Sequence, residues 1–206
     1  MILDFSNIIV KYNMNIKEII HIGAHHGDEH NTYLNHNINN LIYFEPIKKN
    51  YEVLKSKIGD NFLSYNCALG NFEGEIEMYV ENDNRSMSCS ILEPKLHLSQ
   101  YPWIRFTEKE TVKINKLDNF IIDTDNFNMI NIDVQGYELE VFKGGVQILE
   151  KIDYIMVEIN RDEVYKNCVM VDELSNFLSQ FNFTLVESDW AGNTWGDGLY
   201  IKNNLI

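Results

Sequence analysis

Acid–base side chains stand directly after the apolar segments of this sequence that are most typical of buried strands. These side chains are His25, His26, Glu45, Asp133 and Glu158. In open α/β sheets, ligands bind at the carboxyl ends of the strands. The sequence therefore predicts that these side chains converge on one edge of a sheet. Carboxylates and histidines placed there can take a proton from a substrate or accept hydrogen bonds from it.

The stretch Ile19–Glu29 has the pattern of a strand, a tight glycine turn and a helix start. Its first residues are mostly β-branched and apolar, which favours a buried strand. Gly23 and Gly27 let the backbone approach a ligand closely. Asp28 and Glu29 suit the positive end of a helix. This pattern predicts a nucleotide-binding turn, and because it lacks the third glycine of a dinucleotide fingerprint, it disfavours a nicotinamide dehydrogenase.

The next predicted strand is Leu41–Phe44, and it is followed by Glu45 and Pro46. An acid at the end of the second strand of a βαβ unit can accept hydrogen bonds from both ribose hydroxyls of an adenosine-containing cofactor. We therefore expect Glu45 to bind a ribose. The alternative is an exposed acid ahead of a proline.

The chain is acidic, because its 206 residues include 17 Lys and Arg against 31 Asp and Glu, a formal net charge of −14. Such a chain repels a phosphate backbone and has no basic run, so nucleic acid is not an expected partner.

No apolar run approaches the roughly twenty residues of a membrane span. Asp4 interrupts the first apolar stretch, which argues against a signal peptide. Three cysteines without metal-ligand spacing suit a reducing compartment, so we expect a cytoplasmic location, and the oligomeric state stays open.

The length predicts one domain over residues 1–206. Apolar side chains at helical spacing in residues 1–18 predict an N-terminal helical cap. Strands then alternate with helices, one of them predicted over Tyr137–Leu149, which favours a mostly parallel sheet with helices on both faces. Residues 82–105 form a long irregular stretch, which is typical of a lid or a substrate loop.

The stretch NIDVQGYELEVFKGG, residues 131–145, resembles the most diagnostic motif of FkbM-type methyltransferases. Shorter stretches resemble further motifs of that family in the same order: 22–27 (the cofactor turn), 44–46 (second strand), 66–70 (third strand), 116–120 (before the fourth strand) and 196–200 (final strand). The resemblance implies the Rossmann-like class I methyltransferase fold. This is an α/β fold with a seven-stranded, mostly parallel sheet, helices on both faces and an antiparallel last strand.

The same resemblance implies S-adenosyl-L-methionine as cofactor and an O-methyltransferase activity. The implied acceptor is a hydroxyl of a saccharide or glycan, with a lipid, a peptide or a secondary metabolite as alternatives. His21 stands where members of the family usually carry an acid that meets the amino-acid portion of the cofactor. Asp28, Glu29 or His21 itself can contact the amino-acid portion of the cofactor in place of that acid. A binding module that keeps the fold without catalysis is the alternative raised by this departure.

The predicted cofactor site combines the glycine turn, the second-strand acid and the third-strand motif with two serines of the irregular stretch. Cys67 and Ala68 are expected to flank the adenine, or else to belong to the core. Ser86 and Ser88 are expected to contact the cofactor or close over it, unless they are ordinary residues of a polar loop. The full set is His21, Gly23, Ala24, His25, Gly27, Glu45, Pro46, Cys67, Ala68, Ser86, Ser88 and Asp133.

Asp133 is the predicted general base, because methyl transfer to a hydroxyl needs a group that takes its proton. The alternative is a helix N-cap. Glu138 either points to the same cleft or complements the helix end. His26 is a candidate base, since a histidine titrates near neutrality, or a solvated loop residue. No metal is expected, because the acids and histidines have no ligand signature.

Trp195 is a candidate for stacking on a sugar face, and His97 is expected at the surface.

Overall fold

A computed structural model describes residues 2–120 and 126–206 and contains two sheets. The larger sheet has seven strands, in the spatial order β3 (Leu63–Tyr65), β2 (Leu41–Phe44), β1 (Glu18–Ile22), β7 (Phe127–Ile132), β8 (Tyr154–Asn160), β10 (Trp195–Lys202) and β9 (Phe183–Ala191). The first five strands of this order pair in parallel, and β10 pairs antiparallel to both of its neighbours. The α/β architecture with an antiparallel last strand is therefore confirmed.

The smaller sheet has three strands, in the order β4 (Ala68–Leu69), β6 (Phe106–Asn115) and β5 (Gly74–Glu81). β5 and β6 form a long antiparallel pair, while β4 lies parallel to β6. Met78 and Val80 face a separate apolar cluster with Val112 and Ile114. The motif at 66–70 thus leads from the large sheet into the small one, and this second sheet was not predicted as a separate unit.

Helices cover both faces of the large sheet. They are α1 (Phe5–Lys11), α2 (His30–Asn35), α3 (Lys48–Ile58), α4 (His97–Gln100), α5 (Glu138–Lys143), α6 (Val146–Leu149) and α7 (Val171–Ser179). α1, α2 and α3 contribute to one apolar cluster, whereas α5, α6 and α7 contribute to another. Alternate residues of the same strand enter the two clusters, for example Ile19 and Ile20 of β1. Each such fully buried side chain stabilises the fold by about 1.5–3 kcal/mol.

The predicted N-terminal helix is present as α1, whose Phe5 and Ile8 are buried. Asp4 caps it, because its side chain accepts a hydrogen bond from the backbone N–H of Asn7 at 3.0 Å. No helix within residues 2–120 and 126–206 is both long enough and apolar enough to cross a membrane.

The helix predicted over Tyr137–Leu149 is wrong, because α5 ends at Lys143 and α6 begins at Val146. Gly144 packs so closely on the preceding motif that a Cβ there would lie 1.9 Å from the backbone oxygen of Gly70. That close approach fixes the break between the two helices.

Two further expectations need correction. The helix after the glycine turn begins only at His30, so Asp28 and Glu29 precede its first turn, and Glu29 makes no side-chain cap hydrogen bond. His97 was expected at the surface but is only 4% exposed. Its ring packs against those of Tyr165 and Phe106, with centroid separations of 5.5 and 5.1 Å. These aromatic partners come from distant segments, which local sequence patterns do not reveal.

Candidate active site

A cavity opens where β1, β2 and β7 end, and the small sheet closes one side of it. Ten of the twelve residues predicted for the cofactor site line this cavity: His21, Gly23, Ala24, His25, Glu45, Pro46, Cys67, Ala68, Ser86 and Asp133. The carboxyl ends of three neighbouring strands thus bring together residues that are up to 112 positions apart in the chain. Gly27 and Ser88 do not line it.

The glycine turn after β1 is held by backbone contacts. The N–H groups of Gly23 and Ala24 donate to the carbonyl of Phe44 at 2.9 and 3.0 Å. Gly23 has φ +76°, and a Cβ at this position would lie 1.9 Å from the backbone oxygen of Asp133. Only glycine fits a left-handed conformation with so close a neighbour. The turn therefore brings the ends of β1, β2 and β7 into contact.

The carboxylate of Glu45 is buried in the cavity wall. Its two oxygens accept hydrogen bonds from the backbone N–H groups of His25 at 2.8 Å and of Ile47 at 2.9 Å. Burial raises the pKa of Glu45 to about 7, although the two backbone donors act against this rise. Each oxygen keeps a lone pair beyond its backbone contact. The group is therefore suited to accept hydrogen bonds from a pair of neighbouring hydroxyls.

The wall formed by the third-strand motif and β5 is mainly apolar. Cys67, Ala68, Leu69 and Met78 are buried and line the cavity. Burial raises the pKa of the Cys67 thiol to about 11, so this side chain is neutral near pH 7. A neutral, apolar wall beside a hydroxyl-binding acid suits a nucleoside whose ring packs against the wall.

His21 lies in the cavity wall with 3% of its surface exposed. Its Nδ1 is 3.3 Å from the hydroxyl of Tyr33, which in turn accepts a hydrogen bond from Asn131 Nδ2 at 2.6 Å. Burial lowers the pKa of His21, so the imidazole is neutral near pH 7. A series of buried polar contacts from β1 through α2 to β7 thus holds His21 in place.

Asp133 follows β7 directly and lines the cavity. Its backbone N–H donates to the carbonyl of Ile22 at 3.1 Å, and its Oδ1 accepts a hydrogen bond from Gln135 Nε2 at 2.8 Å. The alternative role as a helix N-cap is wrong, because α5 begins at Glu138 and the N-cap position belongs to Tyr137. The carboxylate is instead available to a ligand in the cavity.

Glu138 and His26, two of the predicted catalytic residues, lie outside the cavity lining. Glu138 is fully buried, and its Oε1 accepts hydrogen bonds from the backbone N–H groups of Val134 and Gly136, both at 3.1 Å. It therefore supports the turn after Asp133. This position does not favour contact between Glu138 and a reacting hydroxyl.

His26 faces an outer groove instead of the cavity. Its Nε2 donates to Asn50 Oδ1 at 3.2 Å, and its Nδ1 accepts from the Arg85 guanidinium at 3.3 Å. Gly27 is also a packing residue, because a Cβ there would lie 2.7 Å from Leu54 Cδ1. The Oγ of Ser88 accepts a hydrogen bond from Asn84 Nδ2 at 3.3 Å. None of these contacts favours a direct role in binding or catalysis.

The irregular stretch reaches the glycine turn. His25 Nε2 donates to the carbonyl of Arg85 at 2.7 Å, and both Arg85 and Ser86 have positive φ angles, +57° and +65°. Ser86 is 6% exposed and lines the cavity. This contact places residues 85–86 at the cavity wall, so a lid function for residues 82–105 stays a prediction.

Two polar side chains, Gln135 and Asn50, are among the cavity residues that were missed from the sequence. Gln135 lines the cavity with φ +55°, and Asn50 of α3 is 2% exposed and lines it as well. Gln135 does not titrate, and Asn50 belongs to no recognised motif. The one available signal was the position of Gln135 between Asp133 and Gly136 in the most diagnostic motif.

Comparison with known families identifies the chain. The model of the methyltransferase FkbM domain matches residues 21–185, which is most of the sequence. The protein belongs to the FkbM methyltransferase family. Its cofactor, as a member of that family, is S-adenosyl-L-methionine. Among residues 2–120 and 126–206, no group of three His, Cys, Asp or Glu side chains is arranged to hold a metal ion.

A curated relative of this FkbM protein is the 2-O-methyltransferase NoeI of Sinorhizobium fredii. The two sequences are 28% identical over 150 residues, which cover 68% of this chain. The matched region spans only 62% of the length of NoeI.

Solved structures share the fold of the FkbM protein at low sequence identity. A putative tRNA methyltransferase from Streptococcus pneumoniae, in complex with S-adenosyl-L-methionine, has a TM-score of 0.55 and 13% identity, covering 98% of this chain and 73% of its own. Magnesium protoporphyrin IX methyltransferase from Synechocystis, also with the cofactor bound, has a TM-score of 0.51 and 8% identity. The match covers 96% of this chain and 76% of the methyltransferase. A protein of the NADB-Rossmann superfamily from Streptococcus agalactiae has a TM-score of 0.53 and 15% identity, covering 98% and 70%. These similarities establish the fold.

Proposed function

We propose that this protein is an S-adenosyl-L-methionine-dependent O-methyltransferase whose acceptor is a hydroxyl of a saccharide or glycan. One observation carries the proposal: Glu45, an acid suited to ribose, and Asp133, an acid suited to deprotonate an acceptor, line the same cavity. Both stand at carboxyl ends of parallel strands, where open α/β sheets bind their ligands.

The cavity residues fit the cofactor by their chemistry. Glu45 would accept hydrogen bonds from the two ribose hydroxyls, because its oxygens keep lone pairs beyond their backbone contacts. Cys67 and Ala68 would pack against the adenine. His21 and the turn at Gly23 would meet the amino-acid portion, with a neutral imidazole where related enzymes carry an acid.

Asp133 would act at the acceptor hydroxyl. When bound, S-adenosyl-L-methionine supplies a methyl group on a positively charged sulfur. A sugar hydroxyl is a weak acid and therefore needs a base to take its proton as the new bond forms. The carboxylates that line the cavity are Asp28, Glu29, Glu45 and Asp133. We assign this step to Asp133, because Glu45 is assigned to the ribose and Asp28 is paired with Lys57. Holding the two reactants in line also removes much of the entropic barrier.

One observation supports an oxygen acceptor, and a second supports a saccharide. The relative NoeI is named a 2-O-methyltransferase. In addition, aromatic side chains gather at the carboxyl end of β8, where Trp195 is paired with Asn160. Trp195 Nε1 donates to the Tyr101 hydroxyl at 2.9 Å, and Trp103, which is 65% exposed, packs edge-on against Tyr101. Exposed aromatic rings of this kind can stack on the apolar face of a sugar.

An acceptor screen tests the proposal. The purified protein would be incubated with S-adenosyl-L-methionine and a panel of neutral oligosaccharides, a hydroxyl-bearing lipid and a serine-containing peptide, with Asp133→Asn as the inactive control. Mass spectrometry should show oligosaccharides that gain one methyl group in place of a hydrogen, together with S-adenosylhomocysteine. Methylation of the lipid or peptide alone would contradict the acceptor class. Cofactor binding without methylation of any panel member would favour a binding module.

A further inference from the structure

Gln135 is a cavity residue whose side chain contacts two acids, Asp133 directly after β7 and Glu158 within β8. Its Nε2 donates to Asp133 Oδ1 at 2.8 Å and to Glu158 Oε2 at 2.6 Å. A primary amide has two N–H donors, so each acid receives one of them. The side chain therefore links two acids from neighbouring strands.

The orientation of the Gln135 amide is fixed from its other end. Its Oε1 lies 2.8 Å from the hydroxyl of Tyr165, which is 1% exposed and also lies 2.8 Å from the carbonyl oxygen of Ser88. If the amide were reversed, its oxygen would face two acidic oxygens. In this orientation the amide oxygen faces the tyrosine hydroxyl and both N–H groups face the acids.

The backbone of Gln135 is held in an unusual conformation. Its φ is +55°, a value that costs a residue with a side chain of the order of 1 kcal/mol. Its carbonyl accepts a hydrogen bond from Ser90 Oγ at 2.8 Å, and the N–H groups on both sides of it, from Val134 and Gly136, donate to Glu138. These hydrogen bonds therefore stabilise a strained turn, and the turn places the side chain of Gln135 at the cavity.

The acids that Gln135 bridges stand among further acidic groups. Glu158 is 3% exposed, and its neighbours are Asp133, Glu138 of α5 and Asp197 of β10. His21 of β1 lies near Asp133, while burial lowers the pKa of its imidazole, so it adds no positive charge near neutral pH. Burial and these acids raise the pKa of Glu158 well above its ordinary value. The neutral form of Glu158 is therefore favoured relative to an exposed glutamate.

We propose that Gln135 is the positioning residue for the base Asp133, an inference that rests on the proposed function. By donating to Oδ1, the amide fixes the direction of the Asp133 carboxylate. By donating to Glu158 as well, it holds the side chain of Asp133 in a fixed place beside the neighbouring strand β8. Gln135 itself does not take the proton of the acceptor.

The test uses Gln135→Met, which keeps the length of the side chain and the cost of the backbone conformation but removes the amide. Gln147→Met is the matched control, because Gln147 is exposed on α6. With an acceptor found in the screen, kcat of Gln135→Met should fall by about a hundredfold. KM and the Kd for S-adenosylhomocysteine should change less than about threefold, because Gln135 acts on the direction of the base and not on binding. Equal losses in kcat and cofactor binding would point to a merely structural role and overturn the proposal.

A second readout does not need an acceptor. Crystal structures of the wild type and of Gln135→Met are compared at the Asp133 side chain. In Gln135→Met the Asp133 carboxylate should turn away from the direction that it has in the wild type, because the donor to its Oδ1 is lost. Tyr165→Phe, which keeps the amide but frees its orientation, should give a smaller change in the same side chain.

An unchanged direction of the Asp133 carboxylate in both variants would overturn the proposal. If the wild-type protein neither binds S-adenosylhomocysteine nor methylates any acceptor, the proposed function fails. The structures of the variants still decide in that case whether Gln135 sets the direction of the Asp133 carboxylate. If Gln135→Met does not fold, Tyr165→Phe alone decides.

Discussion

The carboxylate of Glu45 accepts a hydrogen bond from the backbone N–H of His25 at 2.8 Å, which joins the end of β2 to the glycine turn after β1. The second oxygen of Glu45 accepts from the backbone of Ile47 at 2.9 Å, just before α3. One buried side chain thus fixes the relative position of the two elements expected to hold the ribose and the rest of the cofactor.

Replacing Glu45 with Gln should weaken binding of S-adenosylhomocysteine by about ten- to a hundredfold. One end of an amide is a donor, so it cannot satisfy both backbone N–H groups and also accept two hydroxyls; a hydrogen bond to a charged group contributes about 1.5–3 kcal/mol. Calorimetric titration measures the change. Glu108→Gln, at an exposed position on β6, is the control and should bind as the wild type does. Equal affinity of Glu45→Gln and the wild type would remove Glu45 from the cofactor site.

The affinity for S-adenosylhomocysteine should depend on pH through Glu45. Its pKa is raised to about 7, so the carboxylate that accepts the ribose hydroxyls becomes protonated as the pH falls through this value. Between about pH 8 and pH 6 the affinity should therefore fall by about tenfold in the wild type and stay nearly constant in Glu45→Gln. Titrations across this range measure the slope. The same slope in both proteins would assign it to another group.

Asp133→Asn should spare cofactor binding and reduce kcat by about 10²–10⁴-fold, because the amide cannot take a proton from the acceptor. Single-turnover and steady-state rates with an acceptor from the screen measure the loss. Asp60→Asn, whose side chain is 98% exposed, serves as the control and should keep the full rate. Full activity of Asp133→Asn would show that another group is the base.

Gly23→Ala and Gly192→Ala form a matched pair. Both glycines have a left-handed φ, +76° and +68°, but the added Cβ would lie 1.9 Å from Asp133 O in the first and meets nothing within 4 Å in the second. Urea unfolding should show a loss of about 1 kcal/mol for Gly192→Ala from backbone strain alone. Gly23→Ala should lose at least about 2 kcal/mol more, because β7 must shift. Similar losses would mean that the turn adapts without disturbing the strand ends.

Trp103→Ala should raise the KM for a saccharide acceptor severalfold while leaving the Kd for S-adenosylhomocysteine unchanged. The ring is 65% exposed, so its removal should cost little stability and remove mainly a stacking surface. Leu98→Ala, at a 49% exposed position in α4, controls for the loss of exposed apolar area. An unchanged KM for Trp103→Ala would place the acceptor elsewhere.

Local sequence patterns were sufficient to predict most strands of the large sheet and many of the residues that line the cavity. The glycine turn, Glu45 and Asp133 each stand directly after an apolar strand, and the carboxyl ends of parallel strands meet at one edge. The order of strands and the antiparallel β10 came from the family resemblance, because nothing in a single strand states which neighbour it pairs with.

Features that depend on contacts between distant segments were not predictable. The break at Gly144 depends on the backbone of Gly70, and the burial of His97 depends on Tyr165. The link from Gln135 to Glu158 requires a positive φ at a glutamine, which sequence does not signal. These contacts join segments that are distant in the sequence. For this reason the sequence predicted the acids that line the cavity but not the residues that hold them in place.

Calorimetric titration of the purified chain with S-adenosylhomocysteine, alongside NAD, tests the central claim most directly. Circular dichroism would first show that the protein is folded. We predict binding of S-adenosylhomocysteine in the micromolar range and none of NAD, because the turn lacks the third glycine of a dinucleotide site. A folded protein that binds no S-adenosylhomocysteine, or that binds NAD more tightly, would contradict the account of the cavity.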